Sequence, residues 1–238
     1  MNEPLSFEEA KIEVRTTADG SPTLYVPGLD EHYHSYHGAA QESRHVFIGA
    51  GLGPQLAAGL GQPGRPPLRV LEVGLGTGLN ALLTLKAARA AGAAVAYAGY
   101  ETVPLPPAAV GALAVQWAAA PALGTAFARL HAGPWGEGFA LAAGFVLTKI
   151  QAPIQTADLP KDSCDLIYFD AFAPEKQPEL WTAAVLQKLF AAAAPGGLLV
   201  SYCAQGQFRR NLRAAGWLTE KLSGPPGKRE MTRARKPA

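Results

Sequence analysis

The chain is poor in cysteine. Cys164 and Cys203 are the only two in 238 residues, and their spacing matches no paired metal or redox motif. A disulfide framework and a cysteine-built zinc site are excluded on that count, and a reducing compartment is expected. No run approaches the ~18 apolar residues that span a bilayer, so no membrane partner is expected. The first 30 residues carry acidic groups and no apolar stretch, so the sequence reads as lacking a secretory leader and as cytoplasmic. Charge is sparse as well. Charged residues make up 17% of the chain and the net charge is +2, a balance that neither demands nor excludes a nucleic-acid partner. The basic groups that exist gather late, at Arg209, Arg210 and Arg213 and then at Lys228, Arg229, Arg233, Arg235 and Lys236. A solvated, inert tail and an electrostatic footprint for RNA both fit that clustering.

Apolar residues make up 48% of the sequence, which is globular and far from the signature of disorder. The length suits one α/β domain with an N-terminal elaboration. Residues 1–67 read as the extension and residues 68–238 as the main domain. In the extension, residues 11–15 and 23–26 predict a β-hairpin across the turn Asp19-Gly20-Ser21-Pro22. A polar stretch from Asp30 to Ser43 follows, then apolar residues 46–48 and a loose segment ending in a Pro/Gly linker at 61–67. His32, His34 and His37 fall in the polar stretch, but no carboxylate or cysteine set completes a ligand shell, and no metal is expected.

From Leu68 onward strands and helices alternate, which predicts a parallel sheet covered by helices. Strands are expected at 68–73, 95–100, 145–150, 165–169, 197–202, 217–221 and 229–233. Helices are expected at 79–91, 107–119, 178–193 and 206–215. Seven strands with the last two close together fit the Rossmann-like, mostly parallel sheet of a class I methyltransferase better than a dinucleotide-binding sheet. There is no internal repeat, and the Ala-rich stretches read as small helix faces packed on the sheet.

Between the first of these strands and its helix lies Glu72-Val-Gly-Leu-Gly-Thr-Gly-Leu-Asn80. A dinucleotide fingerprint requires glycine at 74, 76 and 79, the last for close packing of helix on strand. Leu79 occupies that third place, and the glycines stand at 74, 76 and 78. This version suits a nucleoside ligand without phosphate, whose amino-acid portion lies against bare backbone. Its ammonium group then needs acceptors, for which Glu72 and nearby carbonyls are candidates. The loop with Thr77 and Asn80 is therefore expected to hold S-adenosylmethionine. The next strand ends at Glu101, where a carboxylate can accept from both ribose hydroxyls. The competing reading makes Glu101 a cap for the following helix.

The strand at 165–169 ends in Asp170-Ala-Phe-Ala-Pro-Glu-Lys-Gln-Pro-Glu-Leu-Trp181, so a carboxylate and an aromatic ring emerge together where open α/β sheets bind ligands. Methyl transfer from a sulfonium is an in-line displacement that gains most from holding a neutral nucleophile in place. Aliphatic amines are mostly protonated at neutral pH, as the reference value near ~10.4 for lysine illustrates. Asp170 is the candidate to orient such an amine and take its proton. Phe172 is the candidate to shape a base pocket. The plain structural alternative makes Asp170 a turn cap and Phe172 a core residue.

Four segments in order carry a specific resemblance: Glu42-Ser-Arg-His-Val-Phe-Ile48, Glu72 to Asn80, Asp170 to Trp181, and Gly227-Lys-Arg-Glu-Met231. Together they resemble the methyltransferase half of the tRNA 5-methylaminomethyl-2-thiouridine biosynthesis enzyme family, over nearly the whole chain. The resemblance implies a class I fold, S-adenosylmethionine as donor, and the aminomethyl group of a wobble uridine in the tRNA anticodon as acceptor. It also implies cofactor contacts from Tyr36, Gly38 and Glu42, and RNA contacts from Lys176, Lys228 and Arg229. Bifunctional relatives carry an FAD-dependent oxidase domain, whereas this sequence shows no second glycine fingerprint and reads as a stand-alone methyltransferase. An acidic residue beside the adenine is usual after the strand ending near Ile150, yet Gln151-Ala-Pro-Ile stands there, and Asp158 is the nearest substitute. A small-molecule amine methyltransferase, a non-catalytic cofactor or RNA-binding module, and a nicotinamide oxidoreductase remain the alternative readings.

Overall fold

The computed structural model describes residues 12–28, 30–33 and 38–238. The N-terminal extension forms a small antiparallel sheet of β1 (Glu13–Thr16), β2 (Pro22–Val26) and β3 (Glu31–His32). The expected hairpin is present and gains a third short strand. Asp19 organises its turn, accepting from the Thr17 hydroxyl (2.7 Å) and the Ser21 amide (3.1 Å) through Oδ1. Its Oδ2 accepts from the Gln41 amide (3.1 Å), which ties the hairpin to α1 (Ala39–Ser43).

The segment expected to be loose is helical. Helix α1 runs on into a nine-residue π-helix, Arg44–Leu52, and then α2 (Gly53–Ala57). Its glycines hide that helix from a propensity reading, and Gly51 has a packing reason. A side chain there would meet Val200 at 2.9 Å, so its absence lets the π-helix lie on the sheet with Val46, Phe47 and Leu52 buried.

The main sheet has eight strands where seven were expected. In chain order they are β4 (Leu68–Val73), β5 (Val95–Glu101), β6 (Gly138–Ala142), β7 (Phe145–Gln151), β8 (Cys164–Phe169), β9 (Ala193–Ser201), β10 (Leu218–Ser223) and β11 (Glu230–Arg235). Their spatial order is β10-β11-β9-β8-β4-β5-β7-β6. The five central strands are parallel; β11 and β6 run against them, and β10 pairs antiparallel with β11 at the edge. The added strand is β6, short, built largely of small residues, and bulged against β7.

Helices cover both faces. With the π-helix, α3 (Leu79–Ala90), α4 (Pro107–Leu113) and α5 (Pro121–Ala132) share one core with Val70, Tyr97, Leu147 and Tyr168. On the other face α6 (Ala183–Ala192) and α7 (Gly206–Ala214) bury Leu186 and Phe208 against Ile167 and Phe169. The helix expected at 107–119 stops at Leu113, passes through a 3₁₀ turn, and gives way to the unanticipated α5. The helix expected at 178–193 starts late because Thr182 caps it, its hydroxyl accepting from the Val185 amide (3.4 Å). The carboxyl ends of β4, β5 and β8 lie side by side in the middle of the sheet, where such folds bind ligands.

Candidate active site

Strands β4 and β8 deliver the centre of the site in register. Val73 pairs with Phe169, the Asp170 amide donates to the Val73 carbonyl (3.0 Å), and the chain turns at Gly74. Gly74 has φ +87°, and a Cβ there would lie 2.5 Å from the Asp170 carbonyl oxygen. The glycine is therefore required by the neighbouring strand's end before any ligand arrives. Gly76 differs: with φ +50°, its missing side chain would meet only the Tyr33 ring, at 3.1 Å. Gly78 packs against Leu130, and Thr77 is buried with its carbonyl accepting from His131 Nε2 (3.3 Å). Burial pushes His131 down to about 4, so this ring is neutral at pH 7.

Asn80, on the first turn of α3, joins three polar groups. Its amide nitrogen donates to Glu72 Oε1 and to Asp170 Oδ2, both at 2.8 Å, and its oxygen accepts from the Ser43 hydroxyl. Glu72 is fully buried, and its second oxygen accepts from the Tyr97 hydroxyl (2.8 Å). The expectation that Glu72 receives a cofactor ammonium is corrected here: the carboxyl has no exposed surface and serves as the floor on which Asn80 rests. Burial and the nearby Asp170 hold its pKa well above the carboxylate range. Asn80 is likewise 2% exposed with every polar atom engaged, so it orients Asp170 rather than touching a ligand.

Asp170 lies at the mouth of this arrangement, and desolvation pushes its carboxyl up to about 7. Glu42 adds to the rise, while the Asn80 hydrogen bond and Lys228 oppose it. A carboxyl poised there exchanges protons near neutral pH, as a general base requires. The long motif that follows it has a structural reason. Gln177 accepts from the Phe172 amide (3.1 Å) and Trp181 Nε1 donates to the Phe172 carbonyl (3.0 Å), which fixes the turn. The half-buried Phe172 ring meets Tyr33 edge-on at 5.2 Å between centroids, so the ring beside Asp170 touches the ring above Gly76.

Glu101 accepts from the Gly76 amide (3.0 Å) through Oε2 and from the Thr102 and Val103 amides (2.8 and 3.0 Å) through Oε1. It braces the glycine loop and the turn after β5, and helix α4 begins only at Pro107. Gln151 pairs with Glu101 in the sheet, whereas Asp158 is exposed and hydrogen-bonds to none of the site residues. Lys228 is not free on the surface: its ammonium lies 2.9 Å from Glu42 Oε1 and 4.1 Å from the centre of the Tyr202 ring. Arg229 is exposed, Lys176 is partly exposed within electrostatic reach of Asp30, and Tyr36, His34 and His37 lie outside the described residues. Sequence reasoning missed Tyr33, Ser43, Tyr97 and Tyr202. Tyr33 and Ser43 had a local signal, since both lie in the polar stretch already singled out.

A parallel sheet with a glycine loop after β4, an acidic residue ending β5 and a carboxylate ending β8 defines the class I methyltransferases, whose methyl donor is S-adenosylmethionine. Comparison with known proteins agrees. Residues 137–237 match the family described as S-adenosyl-L-methionine-dependent methyltransferase. It is similar to the tRNA 5-methylaminomethyl-2-thiouridine biosynthesis bifunctional protein MnmC of Aromatoleum aromaticum, at 34% identity over 92% of this chain and 34% of the relative. It is also similar to the protein of that name from Cupriavidus metallidurans, at 32% identity over 91% of this chain and 33% of the relative. The chain thus spans about a third of the length of the curated relatives it matches. Among solved structures, MNMC2 from Aquifex aeolicus superposes with a TM-score of 0.75 at 26% identity, covering 97% of this chain and 73% of that one.

Proposed function

We propose that the chain transfers a methyl group from S-adenosylmethionine to the aminomethyl nitrogen of 5-aminomethyl-(2-thio)uridine at the wobble position of tRNA. The observation that carries this reading is the Asp170 carboxyl, presented by Asn80 at the end of β8 and raised to about 7. The relatives' shared name supplies the choice of amine.

The residues present fit the donor. Gly76 keeps the loop backbone bare where a Cβ would press on the Tyr33 ring at 3.1 Å, and Glu101 ends the next strand where ribose hydroxyls are held in folds of this kind. When bound, S-adenosylmethionine supplies a methyl group on a sulfonium that a neutral amine displaces. The chain's task is to make the amine neutral and keep it in line. Asp170 accepts one proton from the substrate ammonium at its free Oδ1, while Asn80 holds Oδ2. The freed lone pair forms the N–C bond, and the electrons of the broken C–S bond stay with sulfur. Phe172 and Tyr33 wall the uracil from solvent, and Lys176 and Arg229 meet phosphates without reading sequence.

The test is mass spectrometry of nucleosides after incubation with tRNA carrying aminomethyluridine. The wild type yields the methylated nucleoside, and Asp170→Ala lowers kcat by about 10²–10⁴-fold while S-adenosylhomocysteine affinity stays within a few-fold. Loss of cofactor affinity alone, with kcat preserved, relocates Asp170 to the donor pocket and overturns its role as base.

A further inference from the structure

Lys228 reports on the space it fills. Its ammonium is paired with Glu42, lies over the face of Tyr202, and is close enough to Asp170 to pull that carboxyl's pKa down. Tyr202 is anchored by donating its hydroxyl to the Ala171 carbonyl (2.8 Å), one residue beyond Asp170. Glu42 precedes Ser43, whose hydroxyl bonds to Asn80, so both carboxylates around the ammonium hang from one network. Two carboxylates and an aromatic face are the chemistry that recognises an alkylammonium. A protonated aminomethyl group is an alkylammonium of the same kind as the end of a lysine.

A second observation points to a ligand. Glu42 is nine-tenths buried, and its Oε2 is sealed from solvent with no hydrogen-bond partner. A buried acceptor without a donor is costly, and an ammonium that presents two N–H groups to the carboxylate relieves it. Lys228 comes from the turn between β10 and β11 and keeps 31% of its side chain exposed. It can therefore swing out without disturbing the sheet.

We propose that Glu42, the Tyr202 ring and Asp170 form a seat for the ammonium group of the substrate, and that Lys228 occupies this seat until a phosphate-bearing substrate draws it away. The proposal rests on the amine-methylating reading and moves Glu42 from the donor pocket, where the resemblance placed it, to the acceptor side. A substrate without phosphates then competes with the chain's own lysine, which makes the seat selective for amines carried on a polyanion.

The experiment measures binding of benzylammonium chloride, a phosphate-free alkylammonium, by titration calorimetry, so that it stands apart from any failure to methylate tRNA. Lys228→Met is expected to bind the probe at least tenfold more tightly than the wild type, and Lys228→Met combined with Glu42→Gln is expected to lose that gain. Lys228→Arg, still cationic, is expected to stay closed. S-adenosylhomocysteine affinity, measured on each variant, confirms an intact fold and tests the rival place for Glu42. Equal probe affinity in wild type and Lys228→Met overturns the proposal. So does a Glu42→Gln variant that weakens S-adenosylhomocysteine and leaves the probe unaffected.

Discussion

Asp170 does its work at the expense of the fold that holds it. Its folded pKa of about 7 lies above the ordinary aspartate value, so the native state keeps a proton that the unfolded chain releases. The sign follows: this group costs nothing below about pH 4, and its contribution to stability falls as pH rises from there to about 7. Asp170→Asn is therefore expected to match the wild type near pH 4 and to exceed it at pH 8. The expected gain is on the order of 1 kcal/mol after discounting for solvent on the open side, or about 2–4 °C in Tm. Thermal melts at the two pH values check this, and an equal difference at both would refute it. Asp170 was legible because a strand ended on it. The role of Asn80 was not, since a buried amide that joins Ser43, Glu72 and Asp170 depends on partners 37, 8 and 90 positions away.

Elements were legible where hydrophobic period and length agreed. The strands β4, β5, β7 and β8 stand close to where they were expected; β4 and β8, buried on both faces, read as nearly continuous apolar runs, and β5 and β7 show alternating burial. Small residues concealed the rest: β6 reads Gly-Phe-Ala-Leu-Ala, and α5, with four alanines and a glycine in twelve residues, was not anticipated although Pro121 marks its first turn. The glycine loop was located correctly and explained only in part. Its first member is dictated by the contact between the ends of two strands. Gly74→Ala must take a left-handed φ and push against the Asp170 carbonyl, with an expected loss of about 3 kcal/mol or more in urea unfolding. Gly76→Ala also takes a left-handed φ but presses only on the edge of Tyr33, so it is expected to lose less stability than Gly74→Ala and to weaken S-adenosylhomocysteine binding as well.

For the whole molecule, a net charge of +2 places little general attraction on RNA, so binding depends on where the cations stand. With Lys176, Lys228 and Arg229 near the site, about three counterions should be released on tRNA binding. KM for tRNA is then expected to rise about tenfold or more between 50 and 200 mM salt, while turnover of a free nucleoside stays nearly flat. A tRNA KM indifferent to salt favours a small-molecule amine as the natural acceptor.

The bond between Glu42 and Lys228 joins residues 186 positions apart, one on the N-terminal extension and the other on the turn between β10 and β11. Closing so long a loop is entropically costly, so this contact is expected to form late in folding. The amine pocket thus acts as a built-in gauge of global integrity. In mild denaturant, catalysis should fade before circular dichroism registers any loss of helix, and a newly made chain should acquire its ordered sheet before it acquires its chemistry.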